Sequence, residues 1–193
     1  MARSETLRIT LLCEDRMQEQ FFASICEEHG WRVVDRHVAP RGRRSAEQWV
    51  RKQIYTHVLQ HRRWRRENRA LLVGIDGDKV GVSSRWEELN TELRNRGQVP
   101  IASGEAIAVL VPTWSIETWI LFLHHGQVVP ETKKSKELVP AKILADKDRG
   151  TLTTPAMRQV RLAWARGDVH PELPSLTEGR AECARLALTR LET

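Results

Sequence analysis

The sequence predicts an α/β fold with a mainly parallel central sheet flanked by helices, followed by a helical C-terminal extension. Short apolar segments alternate with amphipathic ones over the first 126 residues. The segment 70–75, ALLVGI, is continuously apolar, as in a parallel strand that is covered on both faces. Beyond residue 126 this alternation stops and only short helical patterns remain. We therefore assign residues 1–126 to an α/β domain and 127–193 to an extension that packs on it.

Four strands and four helices are predicted within the α/β domain. The strands are runs rich in Leu, Ile or Val at 7–13, 31–38, 70–75 and 106–111. The helices have apolar residues at spacings of three and four, at 14–29, 45 to about 68, 83 or 84 to 96, and 115–125. The extension is expected to contain short helices at 140–147, 155–165 and 176–191.

Positive charge is concentrated in one segment of the chain. The whole sequence has a net charge of +6, with 31 Lys and Arg against 25 Asp and Glu. Between Arg32 and Arg69 there are 12 basic residues and 3 acidic ones, so this segment alone carries +9. The part of this segment from about residue 40 to residue 69 is expected to be a basic helical insertion. A solvated helix face is one interpretation, but a run of one sign repels itself unless a partner neutralises it, which favours nucleic acid.

Arginine dominates this segment and suits bidentate contacts with phosphate. Trp64 lies among the arginines, where it could stack on a base or fill a core or interface position. The residues expected to contact DNA or RNA are Arg43, Arg44, Arg62, Arg63, Trp64, Arg65, Arg66 and Arg69.

Several classes of protein are excluded by composition. No apolar run approaches the roughly 20 residues of a membrane-spanning helix, so we expect no membrane association. The N-terminus lacks the charged and apolar regions of a secretory signal, so a cytoplasmic protein is expected. The three Cys form no C-x-x-C pair, which argues against a disulfide scaffold and a Cys-based zinc site.

Carboxylates follow two of the predicted strands. Glu14 comes directly after the first strand, and Asp76 and Asp78 follow the third. In an open α/β sheet the carboxyl ends of the strands border the ligand-binding crevice, so these side chains are expected to meet. Oxygen ligands in this arrangement suit Mg²⁺, although an isolated Asp-Gly-Asp is also common in solvated turns. Asp15 is either a further metal ligand or the cap of the following helix.

These segments, LLCEDRMQEQFF and LLVGIDGD, resemble the Toprim domain of topoisomerases, primases and OLD-type nucleases over about residues 5–125. The chain is most similar to the small stand-alone Toprim-like proteins found near bacterial anti-phage genes. In those proteins a W-x-x-E-x-W segment follows the last strand, and Trp114-Ser-Ile-Glu117-Thr-Trp119 fits this form. Asp15 departs from the pattern, because many family members have Gly there.

The resemblance implies a catalytic role for five residues. Asp76 and Asp78 would bind Mg²⁺ or Mn²⁺, and Glu14 would be a metal ligand or a general acid/base. Glu117 would complete a second metal site, or is a surface residue on an otherwise buried helix. Lys142 matches the approximate position of a lysine that OLD-type nucleases use near the scissile phosphate, or has no catalytic role.

The function expected from this resemblance is a metal-dependent nuclease that cleaves DNA or RNA as an effector of bacterial phage defence. The alternative is a catalytically inactive subunit that binds nucleic acid or a partner protein, and a third is a phosphoryl-transfer enzyme acting on a small nucleotide. The candidate protein partners are an ATPase or another defence-system protein, and a second copy of this chain in a homo-oligomer.

Overall fold

The structure of the protein is a computed structural model that describes residues 6–40, 45–65, 67–133, 138–146 and 150–188. Three residues predicted to bind nucleic acid, Arg43, Arg44 and Arg66, lie outside the described residues. None of the helices in the described ranges is long and apolar enough to cross a membrane.

The central sheet has four parallel strands. They are β1 (Arg8–Cys13), β2 (Arg32–Val38), β3 (Arg69–Gly74) and β4 (Ile107–Leu110), in the order β2-β1-β3-β4. The helices are α1 (Arg16–Glu28), α2 (Ala46–Arg63), α3 (Gly81–Arg94), α4 (Ile116–His125), α5 (Thr154–Arg166) and α6 (Pro174–Leu188). Two short antiparallel strands, β5 (Leu144–Asp146) and β6 (Thr151–Leu152), form a second sheet.

Helices cover both faces of the central sheet. Alternate strand residues point to opposite faces, so Leu72 joins one core while Leu71 and Val73 join the other. The larger core packs α1, α4, α5 and α6 against the first face, and the smaller core packs α2 and α3 against the second. This continuous burial explains why β3 reads as an unbroken apolar run.

The order in which successive strands are added to the sheet reverses between the two central strands, β1 and β3. From β1 it crosses to β2 through α1 on one face, and α2 returns it over the other face to β3. A crevice therefore opens between the carboxyl ends of β1 and β3, the usual ligand site of such sheets. We call the side of the sheet where β1, β3 and β4 end the carboxyl edge, and the side where they begin the amino edge.

β2 is an edge strand, because β1 is its single neighbour in the sheet. Four of its seven residues are exposed, and they are charged or polar: Arg32, Asp35, Arg36 and His37. Val33, in contrast, packs against the larger core. The side of the sheet at β2 is thus lined by polar residues, whereas β4, at the other end of the strand order, is apolar and buried.

The structure confirms an α/β fold with a parallel sheet flanked by helices and corrects the extension. The helix expected at 140–147 is wrong: Ala141–Ile143 is a 3-10 turn, and the next three residues form β5. The segment that begins at Pro140 is too short for a stable helix. Pairing with β6 instead provides hydrogen-bond partners for the backbone groups of β5. The extension shares the larger core, where Trp164 contacts Phe21 and Trp119.

The segment 40–69 contains the regular crossover helix α2. Ser45 caps it, with its hydroxyl accepting a hydrogen bond from the Gln48 amide at 3.3 Å. The helix ends at Arg63 rather than near residue 68. Because α2 joins the carboxyl end of β2 to the start of β3, it crosses the whole depth of the sheet.

Candidate functional site

Glu14 and Asp76 meet at the carboxyl edge. β1 and β3 are in register, with Cys13 opposite Gly74, so the residues that follow them are neighbours. The Asp76 backbone N–H donates a hydrogen bond of 2.7 Å to Oε1 of Glu14. Parallel pairing therefore places the first of the predicted acids directly against the second.

A buried glutamine, Gln18, joins the same two strand ends. Its Nε2 donates to Oδ1 of Asp76 at 2.7 Å, and its Oε1 accepts the Glu14 backbone N–H at 3.1 Å. Gln18 lies one helical turn beyond Glu14 and is fully buried. The amide thus holds Asp76 as a hydrogen-bond acceptor and leaves its second oxygen for another partner.

Gly74 allows α1 to lie this close to the end of β3. A Cβ at this position would lie 2.2 Å from a ring carbon of Phe22 and 3.0 Å from Oε1 of Gln18. Asp15 caps α1, its Oδ1 accepting from the Gln18 amide at 2.9 Å, as one of the two interpretations of this residue expected. The sequence LLCEDRMQ therefore places a strand end, a cap and a buried amide at the crevice.

Asp78 contacts a buried arginine. Arg85, 3% exposed, donates from Nε to the carbonyl oxygen of Asp76 at 2.9 Å and from Nη2 to Oδ2 of Asp78 at 3.3 Å. Its Nη1 pairs with Glu88 at 2.6 Å and lies 3.5 Å from Glu47 at the start of α2. Arg85 thus links the Asp-Gly-Asp turn to both helices of the second face, while the Asp78 side chain stays 60% exposed.

The backbone beside Asp78 is strained. Asp78 has a φ of 44° and Trp114 a φ of 62°, the two positive values among the non-glycine residues that the structure describes. They face each other in an isolated antiparallel bridge, in which the Trp114 N–H donates to the Asp78 carbonyl oxygen at 3.3 Å. A left-handed conformation costs about 1–2 kcal/mol per residue, and such outliers cluster at functional sites.

Burial and like charges raise the pKa values of these acids. Burial raises the pKa of Glu14 to about 8; the Asp76 N–H opposes this rise, and the charge of Asp15 adds to it. The pKa of Asp76 is raised well above its ordinary value, first by burial and then by the charges of Glu14, Asp15 and Glu117. Clustered carboxylates of this kind share protons or attract a cation.

Glu117 belongs to this electrostatic cluster and Lys142 lies elsewhere. Glu117 is buried in the first turn of α4, and its charge raises the pKa of Asp76. Lys142 is exposed on the 3-10 turn, and its charge lowers the pKa of His124, after burial and His125. Because His124 is in the last turn of α4, Lys142 lies towards the end of that helix remote from Glu117.

Arg62 is used inside the fold. Its guanidinium forms a bidentate pair with Glu105, at 2.6 and 2.9 Å, and donates to the carbonyl oxygens of Val99 and Pro100 at 3.1 and 3.0 Å. Hydrogen bonding to Glu105 raises the pKa of Arg62. Burial alone would raise the pKa of Glu105, but the hydrogen bonds from Arg62 and from the Ala102 amide have the larger combined effect. The pKa of Glu105 is therefore lowered. Arg62 therefore anchors the loop before β4 and is not available to a phosphate in this conformation.

Trp64 and Arg69 cover each other. The Arg69 guanidinium carbon lies 4.3 Å from the centre of the Trp64 ring, and its Nε donates to Glu67 at 2.8 Å. One face of the indole is therefore occupied by a cation of this chain. Arg63 and Arg65 remain exposed.

The basic end of α2 and the acids lie at opposite edges of the sheet. Arg62, Arg63 and Arg65 follow the descent of α2 to the amino edge, whereas Glu14 and Asp76 lie at the carboxyl edge. A strand of six residues spans about 20 Å. One ligand that touched both would have to extend across the depth of the sheet. Pro40 and Ser45, which flank the arginines at 41–44, belong to the carboxyl edge, since they connect β2 to the start of α2.

The oxygen donors fit a hard cation by type, but they are not gathered around one point. The described residues contain no group of three or more His, Cys, Asp or Glu side chains placed to hold a metal ion. Asp76 points one oxygen at Gln18, Glu14 points one at a backbone amide, and Asp78 faces Arg85. Occupation by Mg²⁺ or Mn²⁺ would require Asp78 to leave Arg85.

Two residues of this site, Gln18 and Arg85, are absent from the sequence-based prediction, and a third, Trp114, is named there only as part of the W-x-x-E-x-W segment. The spacing of Gln18, four residues after Glu14, is a signal that could have identified it. Arg85 follows Asp78 by seven residues on a helix, a spacing with no characteristic meaning. Comparison of the chain with protein-family models, curated proteins and solved structures finds no match.

Proposed function

We propose that this protein is a metal-dependent phosphodiesterase of the Toprim type that cleaves DNA or RNA. The observation that carries the proposal is the direct contact of Glu14 with Asp76 at the reversal point of the sheet, within reach of the charge of Glu117. Such an accumulation of carboxylates, of which Glu117 is buried and Glu14 and Asp76 are half-buried, opposes folding unless a cation or proton relieves it. Its position matches that of ligand sites in open α/β sheets.

Asp76, Asp78 and Glu117 are the proposed ligands of Mg²⁺ or Mn²⁺. The metal would supply charge neutralisation at the phosphate oxygens as the phosphodiester bond breaks. Gln18 keeps one oxygen of Asp76 engaged, which turns the other away from α1. Arg85 holds the backbone of the Asp-Gly-Asp turn by donating a hydrogen bond to the Asp76 carbonyl oxygen. The Asp78 side chain can therefore move while this backbone stays in place.

Glu14 is the proposed general acid. A pKa of about 8 keeps its carboxyl group protonated at neutral pH, as required of a group that donates a proton to the leaving oxygen. This raised pKa favours the acid role over the ligand role for Glu14. Lys142 has no part in the proposal, because its charge acts at the far end of α4.

One observation favours the alternative, a catalytically inactive binding subunit. Arg85 supplies a positive charge to Asp78 from within the chain, so the acids could be neutralised by Arg85 and shared protons without a metal. In that case the same surface would bind nucleic acid or a protein and cleave nothing. The role as an effector of phage defence rests on the family resemblance alone.

Cleavage assays distinguish these two functions. Plasmid, single-stranded DNA and RNA are incubated with the protein in Mg²⁺ or Mn²⁺, with and without chelator. We expect cleavage by the native protein, none by Asp76→Asn/Asp78→Asn, and a loss of about 10²–10⁴-fold in Glu14→Gln. Glu172→Gln, which changes an exposed acid before α6, is the matched control and should cleave normally.

Cleavage that survives in the double variant would exclude this site as the source of activity. Binding without cleavage under every metal condition would establish the inactive subunit instead. The same labelled oligonucleotides, titrated against the native protein and Asp76→Asn/Asp78→Asn, provide the binding measurement.

A further inference from the structure

A cavity of about 180 Å³ lies at the open edge of β4, between α3 and α6. β4 ends the strand order, so in the described chain its side that faces away from β3 has no strand beside it. Val109 of β4, Trp86 of α3 and Gly179 of α6 are among the residues that line the cavity, and none of the proposed metal ligands does. A cavity of about 150 Å³ is large enough for a benzene ring, so this one can hold a small organic molecule.

Helix α6 is attached to this strand edge on either side of the cavity. Towards the start of β4, the Arg185 guanidinium donates to the carbonyl oxygen of Ile107. Beyond the end of β4, the Thr113 N–H donates to Oγ of Ser175 at 3.2 Å. The cavity lies against the part of the edge between these attachments, at Val109. The helix is thus held in place while the middle of the edge is left open to a ligand.

Val109 presents a backbone acceptor on this open side. The carbonyl oxygen of Leu110, the next residue, accepts from the Ile75 N–H at 3.2 Å and therefore points towards β3. Successive strand residues point their backbone groups to opposite sides, so the N–H and C=O of Val109 point away from β3. The C=O of Ile107, two residues earlier, points the same way and meets Arg185. The carbonyl oxygen of Val109 is therefore not used in the sheet, at a residue that lines the cavity.

The charged residues that line the cavity are two acids, Glu178 and Glu182. Glu182 is neutralised by Arg185, whose Nη2 lies 2.8 Å from its Oε2. Glu178 has no ion pair within the described ranges, and burial, followed by the charge of Glu131, raises its pKa. Glu131 is held beside the cavity by Ser175, whose N–H donates to it at 3.0 Å. The charges around the cavity therefore favour a cationic ligand.

We propose that this cavity binds a small alkylguanidinium cation, a ligand that the proposed nuclease activity does not require. The guanidinium group would pair with the Glu178 carboxylate through two hydrogen bonds and donate to the Val109 carbonyl oxygen. Its alkyl part would pack against Trp86 and the valine side chains of the lining. A guanidinium ion is less strongly hydrated than an ammonium ion, which suits it better to a cavity with apolar walls.

Titration with n-butylguanidinium and n-butylurea tests the site. The two molecules have nearly the same shape, but the urea carries no charge. Binding is followed in ¹H–¹⁵N NMR spectra with chelator present, so that no metal takes part. We expect butylguanidinium to give saturable shifts of the Val109 and Val111 amides and of the Trp86 indole N–H, with an affinity about tenfold higher than that of butylurea. n-Butylammonium should bind more weakly than butylguanidinium.

Two variants of α6 test the assignment of the ligand to this cavity. Glu178→Gln should lower the affinity for butylguanidinium to that for butylurea, and it should fold normally because Glu178 is exposed. Ala181→Leu adds a larger side chain at an exposed lining position and should weaken binding of both molecules. Glu172→Gln, which changes an exposed acid before α6, is the matched control and should bind like the native protein. Thermal unfolding of each variant checks that the fold is retained.

The proposal is overturned if the native protein gives no saturable shifts, or if butylurea or butylammonium binds as tightly as butylguanidinium. It is also overturned if Glu178→Gln keeps the preference for the charged molecule, or if the shifts centre on Glu14 and Asp76 instead of Val109. Because the titrations contain no metal and no nucleic acid, each of these results leaves the cleavage test of Asp76 and Asp78 unaffected.

Discussion

The two edges of the sheet treat charge in opposite ways. At the amino edge opposite charges are matched: Arg62 grips Glu105, and Arg8 and Arg69 share Glu67 at 3.0 and 2.8 Å. At the carboxyl edge, beside the Arg85–Asp78 pair, carboxylates are crowded, and burial, with their like charges adding to it, raises the pKa values of Glu14 and Asp76. The same residue types therefore form ion pairs at one edge and a carboxylate cluster at the other. Paired charges fix loops, whereas accumulated carboxylates retain the capacity to bind something else.

The backbone shows the same contrast. Both left-handed non-glycine residues of the described chain, Asp78 and Trp114, are at the carboxyl edge. At the amino edge, Gly97 takes the positive φ at the end of α3, where glycine has no such cost. Strain is thus confined to the side of the sheet where the acids meet.

The largest combined loss of stability and cleavage is expected from closing the space that glycine leaves at the carboxyl edge. Gly74→Ala puts a Cβ 2.2 Å from Phe22, which is fully buried, so α1 or the ring must move. We expect a loss of about 1–3 kcal/mol in the free energy of unfolding, measured by urea denaturation. Cleavage should fall with it, since Gln18 contacts the same space.

Gly104→Ala is the matched change near the amino edge. Nothing lies within 4 Å of a Cβ built at Gly104, so stability there should stay within about 0.5 kcal/mol. Equal destabilisation by the two substitutions would mean that close packing of α1 on β3 does not set the geometry of the site.

The dependence of stability on pH above about 6.5 should come from the carboxyl edge. The folded-state pKa of Glu14 is raised from 4.5 to about 8, so the folded protein retains a proton that the unfolded chain has lost. Below pH 6.5 the pKa of His57, which burial lowers to about 4, makes stability rise with pH and opposes this effect. Stability in metal-free buffer should therefore fall as the pH rises from 6.5 to 8, by up to about 1.4 kcal/mol per pH unit for each such group. The melting temperature at several pH values provides the measurement.

Glu14→Gln removes this titration. Its melting temperature should change less between about pH 6.5 and pH 8 than that of the native protein, and it should be the more stable of the two at pH 8. A native protein that became more stable from pH 6.5 to pH 8 would contradict the raised pKa of Glu14 in the fold.

The smallest effect concerns the exposed arginines of the amino edge. If they hold the substrate backbone, Arg63→Gln/Arg65→Gln should weaken binding without affecting folding. The slope of log K against log salt should fall by about 0.9 for each duplex phosphate that is no longer neutralised, and by about 0.7 for each phosphate of a single strand. Arg62→Gln should do the reverse and lower stability by about 1.5–3 kcal/mol, because Glu105 loses its charged partner.

An unchanged salt slope in the double variant would move the nucleic-acid surface to the carboxyl edge. The arginines between β2 and α2 would then be the next to change. Urea unfolding of all three variants separates loss of binding from loss of folding.

Much of the fold could be predicted because burial on both faces leaves a simple pattern. β3 is continuously apolar, and the period of the apolar residues in α1 is clear from Met17 to Cys26. The meeting of Glu14 with Asp76 also follows from parallel strand order. β5 and β6, of three and two residues, are too short to leave a pattern.

The sequence misleads where distance along the chain differs from distance in space. The basic segment looks continuous from Arg32 to Arg69, yet the 18 residues of α2 carry its end about 27 Å away. Arg62 and Arg63 cannot be told apart in the sequence, because both lie in the same basic run. In the structure Arg62 pairs with Glu105, whereas Arg63 is exposed. The strain at Trp114 depends on its bridge to Asp78 and has no counterpart in local sequence.

The open side of the sheet has a consequence for the protein at high concentration. β2 presents unpaired backbone groups along one side, which is the usual starting point of edge-to-edge aggregation. Its exposed Arg32, Asp35, Arg36 and His37 would have to be desolvated and brought against another strand for that to happen. The charges on β2 therefore oppose pairing of this strand with a strand of another copy.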